Sequence, residues 1–454
     1  MNRRLLALVV AGALVASACG SRGDDEETST GSQTTDPSAE EPAEEPGEPA
    51  PTESDPGVTD TEILIGASVT LSGVTGFLGQ EVVAGIDSVF QTVNEAGGIQ
   101  GRDLRLIAYD DGGDSSQMLA NVRKLTEEDN VIALVTGLGD AALDYVTEKE
   151  VPTISFGVTP GAFSSKYPTV YPVVGNALLW TQEIIAGLDE NGVIEPDIKV
   201  AIPYDTGLID ISPYLDALKE SWENYGAEVV STDALTLETG TCEPQVLKWR
   251  ELGVDWVDFQ SAAWFLCVQA ASDQNWKPAK GMGGWPASVP TIASLAGPFV
   301  EGVWAGSNGD QPDGAPRELT DAHEEFQSSL EKHYPDMLDP QHLDSPALLG
   351  YYAGSKLMVA ALEAQGEFIT RAGVNEWIQG VEDFETGITP SIKSMAPDCK
   401  TGSEEVWIGP WEYDEATKIA SRKPVGGYFT SPQKEDFGGK CFLTTLSDEI
   451  LGVG

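Results

Sequence analysis

The chain has 454 residues, enough for two or three domains, and 41% hydrophobic with 22% charged residues is the make-up of a folding protein, not a disordered one. It carries 73 acidic against 26 basic residues, a formal charge of -47, and from Thr61 onward 60 acidic face 23 basic. A field of that sign repels phosphate backbones and anionic headgroups, which argues against nucleic acid as a partner.

Residues 1–18 read as a secretory leader. Arg3 and Arg4 give the positive start, and Leu5 to Val15 form an apolar run too short to span a bilayer. The run ends in Ala16-Ser17-Ala18-Cys19-Gly20, which resembles the lipobox of bacterial lipoproteins and implies diacylation of Cys19. An ordinary signal-peptidase site with an incidental cysteine is the alternative. Two acyl chains give stable anchoring at about 0.8 kcal/mol per buried methylene, so the expected location is the outer face of the cell membrane. Residues 19–60 are rich in Asp, Glu, Pro, Ser and Thr, with almost nothing apolar to bury. They read as an acidic tether that spans roughly 35 Å as a flexible coil. An acidic recognition tail is the competing reading.

From Thr61 the pattern changes. Ile63 to Ala67 is a short apolar run of the kind a buried parallel strand requires. Gly79 to Asn94 then places Val82, Val83, Ile86, Val89, Phe90 and Val93 on one helical stripe, closed by Gly97-Gly98. Strands at Leu104 to Tyr109, Val131 to Thr136 and Val151 to Phe156 alternate with helices at Gln117 to Glu128 and Asp140 to Lys149. A second series has strands at Lys199 to Pro203, Ala227 to Ser231 and Val254 to Gln260, with helices at Trp180 to Asn191, Pro213 to Tyr225 and Pro244 to Leu252. Near Pro298 the chain is expected to return to the first lobe with helices at Glu318 to His333 and Pro346 to Gln365, and Glu404 to Tyr428 alternates like strands. This alternation predicts an α/β fold of two doubly wound parallel-sheet lobes joined by a multi-strand hinge. Lobe one takes 61–177 plus 298–398, lobe two 178–297 plus 399–445, and a cleft separates them.

Apart from Cys19 the chain has Cys242, Cys267, Cys399 and Cys441, and an even number in an exported chain favours disulfides. Of three possible pairings the sequence-local one, Cys242–Cys267 with Cys399–Cys441, is expected. Zinc is disfavoured because no C-x-x-C occurs. Gly137-x-Gly139-x-x-Ala142 follows a strand and opens a helix as a dinucleotide loop does, yet the next strand ends Ser155-Phe156-Gly157, without the acidic ribose partner. His323, His333 and His342 lack metal spacing, and no G-x-S-x-G turn supplies a nucleophile. Asp110, Asp111 and Asp114 fit no EF-hand loop and read as a strand-to-helix turn. No cofactor, no metal and no catalytic activity are expected.

Ser68-Val69-Thr70-Leu71-Ser72-Gly73, Gly79, Asn94-Glu95-Ala96-Gly97-Gly98-Ile99-Gln100-Gly101-Arg102 and Tyr109-Asp110-Asp111 resemble the opening of the branched-chain amino acid (leucine/isoleucine/valine) binding proteins. These are ABC transporter substrate-binding lipoproteins of the type I periplasmic binding protein, or Venus-flytrap, fold. The resemblance extends through Val151-Pro152-Thr153-Ile154-Ser155, Lys199-Val200-Ala201-Ile202-Pro203-Tyr204 and Tyr351-Tyr352-Ala353. It implies capture of a small solute between the lobes and delivery to ABC permease subunits.

Sites in open α/β sheets lie at the carboxyl ends of strands, so Leu71 to Leu78, Thr136 to Asp140 and Ser155 to Thr159 would build lobe one's side of the cleft. Phe77, Leu78, Gly137 and Leu138 are candidate ligand contacts there. In the family the loops after the strands ending here at Thr136 and Phe156 hold the ligand's carboxylate; Gly157 matches its backbone contact and Thr159 its hydroxyl. Gly137-Leu138-Gly139-Asp140 lacks the family's serine, and Asp140 would oppose a carboxylate. The stretches matching the family's acids for the amino group read Gly175-Asn176-Ala177-Leu178 and Gly283-Gly284-Trp285-Pro286, with no carboxylate. An ammonium left unpaired in a closed cleft is costly. The expected ligand is therefore not a standard α-amino acid, and Trp180, Tyr204, Trp264 and Trp285 suggest a flatter, apolar or aromatic solute. A ligand-sensing lipoprotein of the same fold is the alternative, and a secreted hydrolase a more distant one, since no nucleophile–base pair is evident.

Overall fold

The computed structural model describes residues 51–73, 75–137, 139–206, 209–236, 239–309, 320–431 and 439–453. The leader, Cys19, the tether up to residue 50 and Leu138 lie outside them. The tether ends earlier than its composition suggests. Ser54 accepts from Ile369 N at 3.0 Å and the Asp55 carboxylate from Arg371 N at 2.7 Å, so residues 54–60 already belong to the folded body.

The first sheet contains β1 (Glu62–Val69), β2 (Asp103–Asp110), β3 (Ala133–Thr136), β4 (Thr153–Ser155) and β5 (Val170–Pro172), all parallel, in the order β2-β1-β3-β4-β5. Helices α1 (Gly76–Glu95), α2 (Ser115–Glu127), α3 (Leu143–Glu148) and α4 (Pro160–Phe163) connect the strands. A parallel sheet is covered on both faces, and every residue of β3 and β4 is buried accordingly. The Asn-x-x-Gly-Gly run closes α1 by two devices. Asn94 pairs both amide atoms with the backbone of Leu104 at 2.7 and 2.9 Å, locking the helix end to β2. Gly98 sits at φ +70°, where a Cβ would fall 2.2 Å from the Arg102 carbonyl oxygen. The Asp110–Asp114 turn spends its carboxylates internally. Asp110 accepts from Leu71 N and Gly112 N, Asp111 from Ser68, Thr70 and Gly113 N, and Asp114 caps α2 through Gln117 N.

Helix α5 (Ala177–Glu190) carries the chain to a second α/β series: β6 (Lys199–Tyr204), α6 (Leu215–Tyr225), β7 (Glu228–Ala234), α7 (Glu243–Leu252), β8 (Trp256–Asp258), α8 (Trp264–Asp273), β9 (Gly281–Gly283), α9 (Pro290–Ala296) and β10 (Trp304–Ser307). The chain then adds α10 (Asp321–His333), α11 (Pro340–Leu343), α12 (Pro346–Glu363) and α13 (Arg371–Gln379), of which α10 and α12 pack on α1. A small antiparallel sheet of β11 (Glu382–Phe384), β12 (Ile392–Ala396) and β13 (Cys399–Lys400) follows. Finally β14 (Val406–Asp414), β15 (Ile419–Arg422) and β16 (Val425–Phe429) rejoin the second sheet, and α14 (Phe442–Leu451) packs on α4. The second sheet runs β15-β14-β10-β9-β8-β6-β7 with β16 beside β14; β6 to β10 are parallel, β14 to β16 antiparallel.

Two crossings differ from the sequence reading. Strand β10 pairs with β9 and β14, so the return to the first lobe falls after Gly309 and not near Pro298. Within the stretch 399–445 expected in lobe two, β14 to β16 are there, but β13 and the segment entering α14 are tied to the first lobe. Lys400, fully buried, donates to the carbonyls of Ala162, Ser164 and Tyr167 at 3.4, 3.0 and 2.6 Å, and burial pushes its ammonium down to about 7. Asp448 of α14 accepts from the Ser164 and Ser165 hydroxyls and from Ser165 N. The disulfides Cys242–Cys267, joining α7 to α8, and Cys399–Cys441, joining β13 to the head of α14, form as expected. Across the segment between lobes, Arg422 of β15 lies buried 5.0 Å from the Trp407 ring and 4.4 Å from that of Trp411, and pairs with Asp344 at 3.0 Å. Among the described residues no helix is long and apolar enough to cross a membrane.

Candidate functional site

Strand order reverses between β1 and β3 in the first sheet and between β6 and β8 in the second. Loops leaving those carboxyl ends diverge and open a crevice at each switch point. The two crevices meet in one cavity of ≈ 70 Å³ open to the centre of a water molecule. Lobe one contributes Leu78 and Val82 of α1, Phe156 after β4, and Pro346, Ala347 and Tyr351 of α12. Lobe two contributes Ile209 after β6, Ala262 after β8, and Trp285, Val289 and Ile292 after β9, with Trp180 at the crossing helix. The walls present almost only carbon, and among the described residues no acid, lysine, arginine or histidine lines them.

The aromatic wall is held from behind. Trp180 and Trp285 meet edge to face, centroids 6.5 Å apart at 77°. The Trp285 indole donates to Gln260 Oε1 at 2.7 Å, while Gln260 Nε2 donates to Thr181 Oγ1 at 2.7 Å and to Asp258 Oδ1 at 3.0 Å. Asp258 also accepts from the Trp222 indole at 2.9 Å. Burial pushes the Asp258 carboxyl up to about 7, against the pull of those two donors. Tyr351 donates to the Thr136 carbonyl at 2.7 Å and stacks 5.7 Å from Phe156. The Trp180 indole nitrogen is buried against Gly175 without a hydrogen bond.

Thr159 follows β4 as expected, but its hydroxyl donates to Asp140 Oδ1 at 2.5 Å, and Gly161 N donates to Oδ2 of the same carboxyl at 3.3 Å. The carboxylate on these donors is therefore the protein's own. Burial, with Asp210 nearby, raises the Asp140 carboxyl above its usual range, while Thr159 and Gly161 oppose the rise. A second buried acid links α1 of the first lobe to α9 of the second. Glu81 of α1 pairs with His342 Nδ1 at 2.7 Å, accepts from the Ser345 hydroxyl, and accepts from Thr291 of α9 at 3.2 Å. Burial pushes the Glu81 carboxyl up, and that carboxylate holds His342 above the usual histidine range.

Of the residues singled out from the sequence, Leu78, Trp180 and Trp285 line the cavity. Phe77, half-buried at the start of α1, packs on the second lobe's core. Gly157, at φ +94°, gives the loop its turn where a Cβ would fall 2.6 Å from Pro172, and Gly137 N donates to the Ser68 carbonyl at 3.0 Å. Tyr204 is the last residue of β6 and is not among the described wall residues. Trp264 lies wholly inside lobe two's core, tilted 6.0 Å from Phe259. Sequence reasoning missed the α12 contribution, Ile209 and the Gln260 brace. The signal for α12 was present, because Pro346–Glu363 is apolar on nearly every side and such a helix is buried all round.

Two parallel-sheet lobes sharing one cavity at their strand ends define the type I periplasmic-binding architecture. This chain belongs to the periplasmic binding protein family, which matches residues 62–416. A Leu/Ile/Val-binding protein homologue of Brucella suis is 24% identical over 348 residues, 72% of this chain and 83% of its own. The structure of a fatty acid ABC transporter substrate-binding protein from Thermomonospora curvata superposes with TM-score 0.70 at 23% identity, covering 86% of this chain and 97% of that one. A branched-chain amino acid ABC transporter protein from Thermus thermophilus with bound valine gives TM-score 0.68 at 16% identity, covering 83% and 100%.

Proposed function

We propose that this chain captures a small organic solute in the interlobe cavity and delivers it to the permease of an ABC importer. A leader over 1–18, lipidation at Cys19 and the acidic tether would hold the body at the outer face of the membrane. The observation that carries the reading is the cavity itself, walled by loops from the strand ends of both lobes and lined by Trp180 and Trp285. Family membership and relatives described as solute-binding proteins of ABC transporters support it. The role is binding and not turnover, by hinge closure: solute docks on one lobe, the other closes over it, and the closed form engages the permease. The solute is not a standard α-amino acid, since among the described residues no carboxylate lines the cavity to pair with an ammonium group.

Small-angle scattering of the body, residues 51–454, tests this. A bound solute compacts the particle and raises its melting temperature by mass action. Scattering and melting unchanged across a broad panel of amino acids, amides, aromatic and aliphatic acids, alcohols and short peptides refutes the reading.

A further inference from the structure

Resting on that solute-binding reading, we propose that the cleft accepts an uncharged, largely hydrocarbon solute, aliphatic or aromatic, and that Asp140 contributes to this by occupying the donors that follow β4. Three observations converge. The cavity wall has no ionised group among the described residues, so a charged ligand end would be buried without a partner. Three polar groups of the wall are already committed: Trp285 N–H to Gln260, Tyr351 O–H to the Thr136 carbonyl, and Ser288 O–H to the Trp285 carbonyl; the Trp180 indole N–H, unpaired among the described residues, leaves one neutral donor that a hydroxyl oxygen can meet. The donors after β4 that could receive an anion, the Thr159 hydroxyl and Gly161 N–H, are spent on Asp140. A ligand carboxylate would have to displace a buried carboxyl from the Thr159 and Gly161 donors and then sit beside it. An alcohol of the same skeleton meets no such opposition, and its hydrocarbon body gains the whole apolar contact. Raising of the Asp140 carboxyl by burial is in keeping with a group enclosed in the protein and not solvated at a rim.

The experiment uses matched sets: isoamyl alcohol, isovalerate and isoamylammonium; benzyl alcohol, benzoate and benzylammonium. Binding is read from the fluorescence of the wall tryptophans and by calorimetry. In the unaltered body the alcohol binds at least about tenfold tighter than either ion in one set or both. Asp140→Ala, which frees Thr159 and Gly161, narrows the gap between alcohol and carboxylate by about tenfold. If that variant does not fold, Asp140→Asn, which removes the charge and keeps the shape, is expected to narrow the same gap in the same direction. A carboxylate or ammonium ion that outbinds its alcohol in both sets overturns the proposal and leaves the solute-binding reading standing. No binding by either set, with compaction by some charged solute, overturns the proposal alone; no response to any solute overturns both.

Discussion

Gln260→Leu probes the brace behind the aromatic wall. Leucine keeps most of the side chain's bulk, so little of the effect comes from packing. Three hydrogen bonds disappear: Trp285 Nε1 to Oε1 at 2.7 Å, and Nε2 to Thr181 at 2.7 Å and to Asp258 at 3.0 Å. Leaving the Trp285 N–H buried without an acceptor costs about 1–3 kcal/mol. Thr181 keeps its bond to the Ala177 carbonyl at 2.8 Å and contributes little to the loss. Asp258 keeps Trp222 but loses one of two donors that favour its ionised form, so its share of the loss is felt where it ionises, above about pH 7. Together the expected loss is about 2–4 kcal/mol at about pH 8, and less at about pH 5.5. Urea titration at the two pH values reads this as a lower midpoint with an unchanged slope. A loss under about 0.5 kcal/mol at both pH values refutes the brace, because a buried indole N–H cannot be orphaned so cheaply.

Asp258→Asn tests the pH linkage directly. The folded value, about 7, lies above the ordinary 3.8, so the native state holds a proton that the unfolded chain gives up. This group's stabilisation is complete below about pH 4 and is lost as pH climbs to about 7, amounting to about 4 kcal/mol at about 1.4 kcal/mol per unit. The variant is expected to flatten that part of the stability–pH curve, and identical slopes in both proteins contradict the assignment. Replacing Cys242 and Cys267 with alanine opens a 25-residue loop and costs about 3.5 kcal/mol, while the 42-residue Cys399–Cys441 loop costs about 4 kcal/mol by the same chain-entropy argument, both read by denaturation. Arg422→Met strips Asp344 of its charged partner, leaving it the Ser307 hydroxyl, and lowers stability by about 2–3 kcal/mol, and a cycle with Asp344→Asn is expected to show coupling of about 1–3 kcal/mol.

The alternation of short apolar runs with helical stripes made both doubly wound sheets readable, because parallel strands must be hydrophobic throughout and their helices only on one side. The late crossing was not readable. Trp304-Ala305-Gly306-Ser307 is too short and too mixed to declare itself a strand, and it is in the sheet because β9 and β14 flank it. At the site, strand-end reasoning located Leu78 and the loop after β4 without any side-chain knowledge. Trp264 misled because aromatic content alone does not distinguish a wall from a core; its neighbours Ala263 and Cys267 are fully buried too. The pairing of Asp140 with Thr159 joins two loops 19 residues apart, and no periodicity encodes such a meeting. Asp140 was read as hostile to a carboxylate, but nothing in the chain order revealed that it had already taken the donors.

The order in which the chain visits its two sheets has a consequence for biogenesis. Strands β14 to β16 enter the second sheet only after α10 to α13 have been laid on the first, so neither lobe holds all its parts until residue 429 has been made. A ribosome or translocation pore releasing the polypeptide from its amino end therefore cannot deposit a finished lobe until nearly the whole chain has emerged. Maturation is expected to be late and cooperative, with long-range closures setting its pace.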